Sequence, residues 1–212
     1  MNTNYLQETF FFDYNSPQIQ NLIADSILLS SDKEKIEQLY LKVRDGWRYN
    51  AYNIGLTENH YKASTIAQKE EAHCIDKAIL YIAGLRALNI PARLRLAKVS
   101  NHIAVERLVA KLGTNELAPH GLVDVYYNDK WTKCSPAFNK ELCHMYNVDV
   151  LNFDGTEDSI MQEYNKNSKK FMSYEDDYGH FEDVPLNYIK SIFKDHYPKL
   201  YQIYKDQKNV KF

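Results

Sequence analysis

The stretch AHCIDKAILYIAGLRALNIPARLRLAKV, residues 72–99, most constrains what this chain can fold into. Its first half carries Ile75, Ala78, Ile79, Ile82, Leu85 and Arg86 on successive helical turns. Asn89 and Pro91 end that helix. From Arg93 to Val99 the period changes: Leu94 and Leu96 alternate with Arg93 and Arg95, the mark of a half-buried strand. An apolar helix running directly into a strand predicts a helix packed on a sheet. Cys74 stands at the start of that helix.

The flanking segments extend the pattern. Residues 5–14, with Tyr5, Leu6, Phe10, Phe11, Phe12 and Tyr14, predict a strand. Ser16-Pro17 predicts a helix start, followed by Ile19, Leu22, Ile23 and Ile27 at helical spacing. Ser31 and Glu34 form a capping-box pattern ahead of Ile36, Leu39, Tyr40, Val43 and Trp47. Residues 50–72 are polar and predict a loop leading to Cys74, and a helix is expected at 104–112 inside the connection 100–119. Gly121–Tyr127 and Trp131–Ser135 predict two strands around an Asn128-Asp129 turn. The most polar segment, 152–180, predicts a loop. Leu186–Tyr204 predicts a helix with Ile189, Ile192, Phe193, Tyr197, Leu200, Tyr201 and Tyr204 on its stripe, divided at Pro198. Helices followed by hairpin-joined strands indicate an α+β fold. A single domain over 1–212 is expected, with its core at about 63–140 and the terminal helices packed on it.

A chain of 212 residues with 44% hydrophobic residues can bury a core without disulfides or metal. The 26 Lys+Arg against 28 Asp+Glu leave a net charge of -2, so neither nucleic acid nor an anionic membrane is an expected partner. Three cysteines do not make a disulfide framework and fit a reducing compartment. The first residues carry no basic region of a secretory signal, and no apolar run approaches the ~20 residues of a membrane span. The expected location is the cytoplasm. No cofactor is implied, and no calcium-loop motif is present.

A thiol at a helix N-terminus meets partial positive charge and free amide donors, which favour a thiolate and hold an oxyanion. Cys74 is therefore the candidate nucleophile and His120 the candidate base. If Asn128 and Asp129 form the hairpin loop, Tyr127 faces Lys130 and His120 faces Ala137. Ser135 and Asn139 then lie diagonal to His120, about 7–8 Å away at the backbone. Both are candidates to orient the imidazole, the Asn139 amide oxygen being the better acceptor. Asp124 shares the face of His120, but four residues of strand is about 13 Å, out of reach. His73 reads as a helix-start residue, Asp76 and Lys77 as surface charges of the first turn, and His102 as a solvated loop histidine. Cys134 and Cys143 read as core residues, and Cys143-His144 lacks the second pair a zinc site needs.

Cys74 to Arg93, with its NIPAR ending, and the His-led hairpin His120 to Pro136 with Trp131 resemble the transglutaminase-like superfamily. WTKCSPAFNKELC with the later FDG and FEDVP is similar to bacterial members classed as candidate cysteine proteases. The specific similarity spans about residues 63 to 155. The resemblance implies the papain-like cysteine-proteinase fold, with Cys74 as nucleophile and His120 as base of a Cys-His-Asp/Asn triad. The superfamily's usual Asp, four residues after the Trp, is here Ser135, and Ala72 replaces a common glycine. Asn139 in the orienting role, a Cys-His dyad, or lost catalysis are the readings this leaves.

The leading expectation is a thiol-dependent acyl-transfer enzyme acting on a peptide or other amide-containing substrate, with hydrolysis favoured over cross-linking on the resemblance. The alternative is a catalytically degenerate peptide-binding module. A zinc site using Cys74 and His120 ranks third.

Overall fold

The computed structural model describes residues 3–205. The expected domain's ends, 1–2 and 206–212, and the side chain of Tyr204 lie outside the described residues. The helices and strands in chain order are α1 (Pro17–Ile23), α2 (Asp32–Gly46), β1 (Arg48–Tyr49), α3 (Ala63–Ile66), β2 (Glu71–Ala72) and α4 (Cys74–Ala87). Then follow β3 (Ala92–Asn101), α5 (Val105–Leu112), β4 (Glu116–Tyr127), β5 (Lys130–Cys134), α6 (Lys140–Met145), β6 (Met172–Phe181), α7 (Leu186–His196) and α8 (Pro198–Tyr204).

Four strands form an antiparallel sheet in the order β5-β4-β3-β6, and β1 and β2 make a short parallel pair. The β4–β5 hairpin turns through Asn128 and Asp129, both at positive φ (48° and 60°), the backbone of a type I′ turn. Tyr127 faces Lys130 and Val123 faces Cys134, the register expected from the turn.

α4 is buried on every side from Cys74 to Arg86. It packs between α1 and α2 on one side and the sheet strands β3 and β4 on the other. That sandwiched position corrects the reading of Asp76 and Lys77 as surface charges: both are fully buried. Residues 58–69 cover Asp76 through His60 and Lys69. The end of α2 covers Lys77, whose Nζ donates to the Arg44 carbonyl at 2.7 Å. Burial brings the Lys77 ammonium down to about 7.

Four further expectations are corrected. Residues 50–72, expected to be loop, hold α3 and β2, and Ile27, expected on the stripe of the first helix, lies beyond its end at Ile23 and is 57% exposed. Residues 5–14 do not form a strand; the Phe12 N–H donates to Thr9 Oγ1 and the Tyr14 N–H to the Phe12 carbonyl, both local turns. Phe12 is buried there beneath the Arg86 guanidinium, 4.4 Å from its ring centroid. Residues 172–181, expected to be loop, form edge strand β6 against β3. Its Glu175, Asp176 and Asp177 are exposed, the charged edge that sheets use against further pairing. The Ser31–Glu34 capping box, the helix beginning beside residue 104 and the division at Pro198 are all present.

Candidate active site

α4 begins with a capping box in which a histidine does the work usual for Ser or Thr. The His73 backbone is extended, and its ring Nδ1 accepts the Ile75 N–H at 3.4 Å. In return Asp76 Oδ2 accepts the His73 N–H at 3.3 Å. This places the His73 ring against Cys74 Sγ, with Nε2 at 3.5 Å and Nδ1 at 3.6 Å. Adjacent helical residues diverge, but an N-cap is not yet helical, so its side chain can fold over the residue that follows.

β4 reaches the same point from the sheet. Gly121 N–H donates to Cys74 Sγ at 3.4 Å. A Cβ at Gly121 would lie 2.7 Å from the Ile75 Cα, so only glycine permits this approach of strand to helix. His120 is the residue before Gly121 and stands close enough to His73 to feel its charge. His120 pairs with Ala97 in the sheet, is 3% exposed, and its Nδ1 has no hydrogen-bond partner.

The site is closed. Cys74 is 1% exposed, and burial pushes its thiol up to about 12, against the pull of the Gly121 and Ile75 amides. Burial, then the neighbouring His73, brings His120 down to about 3. Burial brings His73 down to about 4, although Asp76 acts in the opposite sense. The proton therefore rests on sulfur and both imidazoles are neutral. Asp76 is pushed up by burial, but His60, Lys69 and His73 overcome this and hold it at about 2. His60 Nε2 lies 3.3 Å from Asp76 Oδ1 and Lys69 Nζ 3.4 Å from Oδ2.

Tyr49, Tyr61 and Tyr197 stand close enough to feel charge on the sulfur. The Tyr49 hydroxyl is buried without a hydrogen-bond partner. Tyr49 also lines a cavity of about 380 Å³ with Tyr52, Arg107, Lys111, Phe138 and Asn139, whose wall neither Cys74 nor His120 reaches. A void of about 20 Å³ beside His73, Tyr61 and Tyr197 has room for roughly one water.

The structure thus sets the His73 ring and the Gly121 amide on Cys74 Sγ, with His120 the strand residue before Gly121, and no hydrogen bond joins His120 to Ser135 or Asn139. β5 ends at Cys134, and the chain through Pro136 leaves the ladder that would have kept those residues diagonal to His120. Ser135 donates its N–H to the Ser159 carbonyl, and its own carbonyl accepts from the Tyr40 hydroxyl. Asn139 precedes α6, its Oδ1 accepting the Tyr49 N–H at 3.1 Å and its Nδ2 donating to Glu141 at 2.5 Å. Asp124, as expected, stays away from His120 and binds Arg93 and Arg95. His102 is exposed, and Cys134 and Cys143 are buried free thiols. Sequence reasoning missed His60, Lys69 and Asp76 around the helix start. His73-x-x-Asp76 is spaced as a capping box, and that spacing was the available signal.

The family model described as the transglutaminase-like superfamily matches residues 23–136, more than half of the chain. The chain belongs to the transglutaminase-like superfamily. Its nucleophile-position helix packed on an antiparallel sheet is the superfamily's α+β core. Two solved structures are similar to it. One, from Cytophaga hutchinsonii and described as a candidate cysteine protease, is 15% identical with a TM-score of 0.48 over 81% of this chain and 62% of that one. The other, described as a TGase, is 16% identical with a TM-score of 0.43 over 94% of this chain and 52% of that one. The chain thus spans less than two thirds of either. Among curated proteins, none matches. Among the described residues, no group of three His, Cys, Asp or Glu side chains is placed to hold a metal ion, and no helix is long and apolar enough to cross a membrane.

Proposed function

We propose that this transglutaminase-like protein is a thiol-dependent acyl-transfer enzyme, working as a hydrolase on a peptide or other amide. The observation that carries the reading is the convergence on Cys74 Sγ of a helix N-terminus, the Gly121 amide and the His73 ring, with the unpartnered His120 imidazole on the next residue of the strand. Cys74 Sγ attacks the amide carbonyl carbon as His120 takes the thiol proton. Amides at the start of α4 receive the oxyanion. His120 passes its proton to the leaving amine, and water then cleaves the thioester, returning the thiol and releasing an acid. Because nothing accepts from the His120 Nδ1, the arrangement works as a Cys-His dyad, with neither Ser135 nor Asn139 as orienter. The buried thiol requires the site to open for substrate, and Tyr49, shared between the cavity wall and the thiol's surroundings, stands where the opening would occur. The three free thiols suit a reducing compartment such as the cytoplasm.

The sealed thiol and the missing orienter favour a second reading, a degenerate module that binds a peptide without cleaving it. Iodoacetamide labelling across pH, followed at each cysteine by peptide mass spectrometry, separates the two. The enzyme reading expects Cys74 to label faster at neutral pH than buried Cys134 and Cys143, and His120→Ala to slow it several-fold. Cys74 labelling no faster than the other two, and indifferent to His120→Ala, would leave the binding module.

A further inference from the structure

We propose that the cavity of about 380 Å³ behind Tyr49 is the substrate pocket, and that it takes a peptide with an apolar side chain beside a carboxylate, the carboxylate going to Arg107 and Lys111. This names the substrate class of the acyl-transfer reading and rests on it. The volume falls within the roughly 300–1,000 Å³ of ordinary ligand sites. The wall is aromatic and aliphatic, with Tyr49, Tyr52, Leu108, Phe138, Leu142 and Tyr146 on it. Met145 belongs to the same wall and is 73% exposed, a large apolar side chain left uncovered.

The charges on the wall are unevenly used. Glu71 accepts from Arg48 and, at 2.6 Å, from Asn50 Nδ2. Glu141 accepts from Asn139 Nδ2. Both carboxylates are therefore engaged within the protein. Arg107 and Lys111 are exposed one turn apart on α5, and both reach over the Tyr52 ring, at 5.7 and 4.6 Å from its centroid. Among the described residues no carboxylate pairs with Arg107. Two cations over one ring repel each other, and an anion between them relieves that repulsion. A guanidinium also grips a carboxylate with two parallel hydrogen bonds. A peptide offers such an anion at its C-terminus or on an Asp or Glu side chain.

The cavity also adjoins the thiol's surroundings. Ala51 and Leu117 line both the cavity and the small void beside His73, whose ring lies against Cys74 Sγ. Tyr49 is on the cavity wall and close enough to the sulfur to feel its charge. A peptide anchored at Arg107 is thus separated from the site by one layer of side chains. Residues 49–52, all on that wall, are the segment that must move to admit its amide to Cys74.

The test is titration of the full chain with acetyl-alanyl-phenylalanine, its C-terminal carboxamide, and acetyl-aspartyl-phenylalanine carboxamide. Binding is followed by NMR of the tyrosine-labelled protein, with Tyr52→Phe assigning the Tyr52 signal. The free acid should shift the Tyr52 signal and bind about five-fold more tightly than its carboxamide, the scale of one exposed ion pair. Arg107→Gln with Lys111→Gln should erase that preference and leave the melting temperature near wild type, since both side chains are exposed. The aspartyl peptide binding as tightly as the free acid would put the recognised carboxylate on a side chain; binding as weakly as the plain carboxamide would put it at the C-terminus. Acid and carboxamide peptides binding alike to the wild type, or a preference that survives both substitutions, would overturn the inference. That failure is separate from the failure of acyl transfer, which is read at Cys74: labelling that ignores His120→Ala overturns the enzyme reading, whatever the peptides do.

Discussion

The two ends of one strand segment, His120 and Asp124 on β4, are buried alike and bonded differently. Asp124 is 1% exposed and accepts from Arg93 at 2.9 Å and from Arg95 at 2.8 and 3.1 Å. Arg95 is shared with Asp177 of β6, and Arg93 stacks 4.0 Å over Trp131. His120 is buried nearly as deeply and leaves Nδ1 without a partner. Buried polar groups are normally satisfied, and exceptions concentrate where function needs a free atom. The Asp124 end ties three sheet strands together; the His120 end holds a donor or acceptor in reserve.

Breaking the satisfied end should cost most. Asp124→Ala leaves two largely buried guanidinium groups facing each other and should lower unfolding free energy by about 3–5 kcal/mol, read from urea denaturation. A loss under 1 kcal/mol would mean the two ends do not differ as described.

The pH profile sharpens the contrast. His73 and His120 sit at about 4 and 3, against an ordinary 6.5, so below pH 6.5 the unfolded chain binds protons that the folded one refuses. Stability should therefore fall with pH from about 6.5 towards 4, by roughly 1.4 kcal/mol per pH unit for each imidazole. Asp76, depressed to about 2 from 3.8, contributes stability present above pH 4 that is lost as pH falls further. Urea midpoints at pH 7, 6, 5 and 4 would show the slope, and His120→Leu should remove one imidazole's share of it. A profile unchanged by His120→Leu would show that this ring titrates normally.

The smallest effect is expected from that same substitution at pH 7. Replacing an unpartnered imidazole by an apolar side chain should leave stability within about 1 kcal/mol of wild type, because no hydrogen bond is lost. Thermal melts of His120→Leu beside Asp124→Ala place the two ends on one scale. A large loss at His120 would reveal a bond the imidazole makes in solution.

Local sequence carried much of the frame. The Ser31–Glu34 box, the Asn128-Asp129 turn and the break at Pro198 all act over a few residues, and each is found where those residues predict it; helix period did as well except at Ile27, which lies past the end of α1. The aromatic run at 10–12 misled, because local turns took amides a strand would have used, Phe12 N–H going to Thr9 Oγ1 and Tyr14 N–H to the Phe12 carbonyl. β6 was hidden for the opposite reason: an edge strand open to solvent needs no apolar alternation to announce it.

For the site, the sequence by itself determined that Cys74 would open a buried helix and that His120 would lie at the sheet end of a type I′ hairpin, since both follow from period and turn chemistry. Only the tertiary structure decided which groups meet there. Gly121 lets the strand touch the helix start, His73 folds over the thiol, and the chain after Cys134 draws Ser135 and Asn139 away. Those outcomes depend on how closely two elements pack and on which side chain reaches a backbone amide first. Neither quantity is a property of any short stretch of sequence.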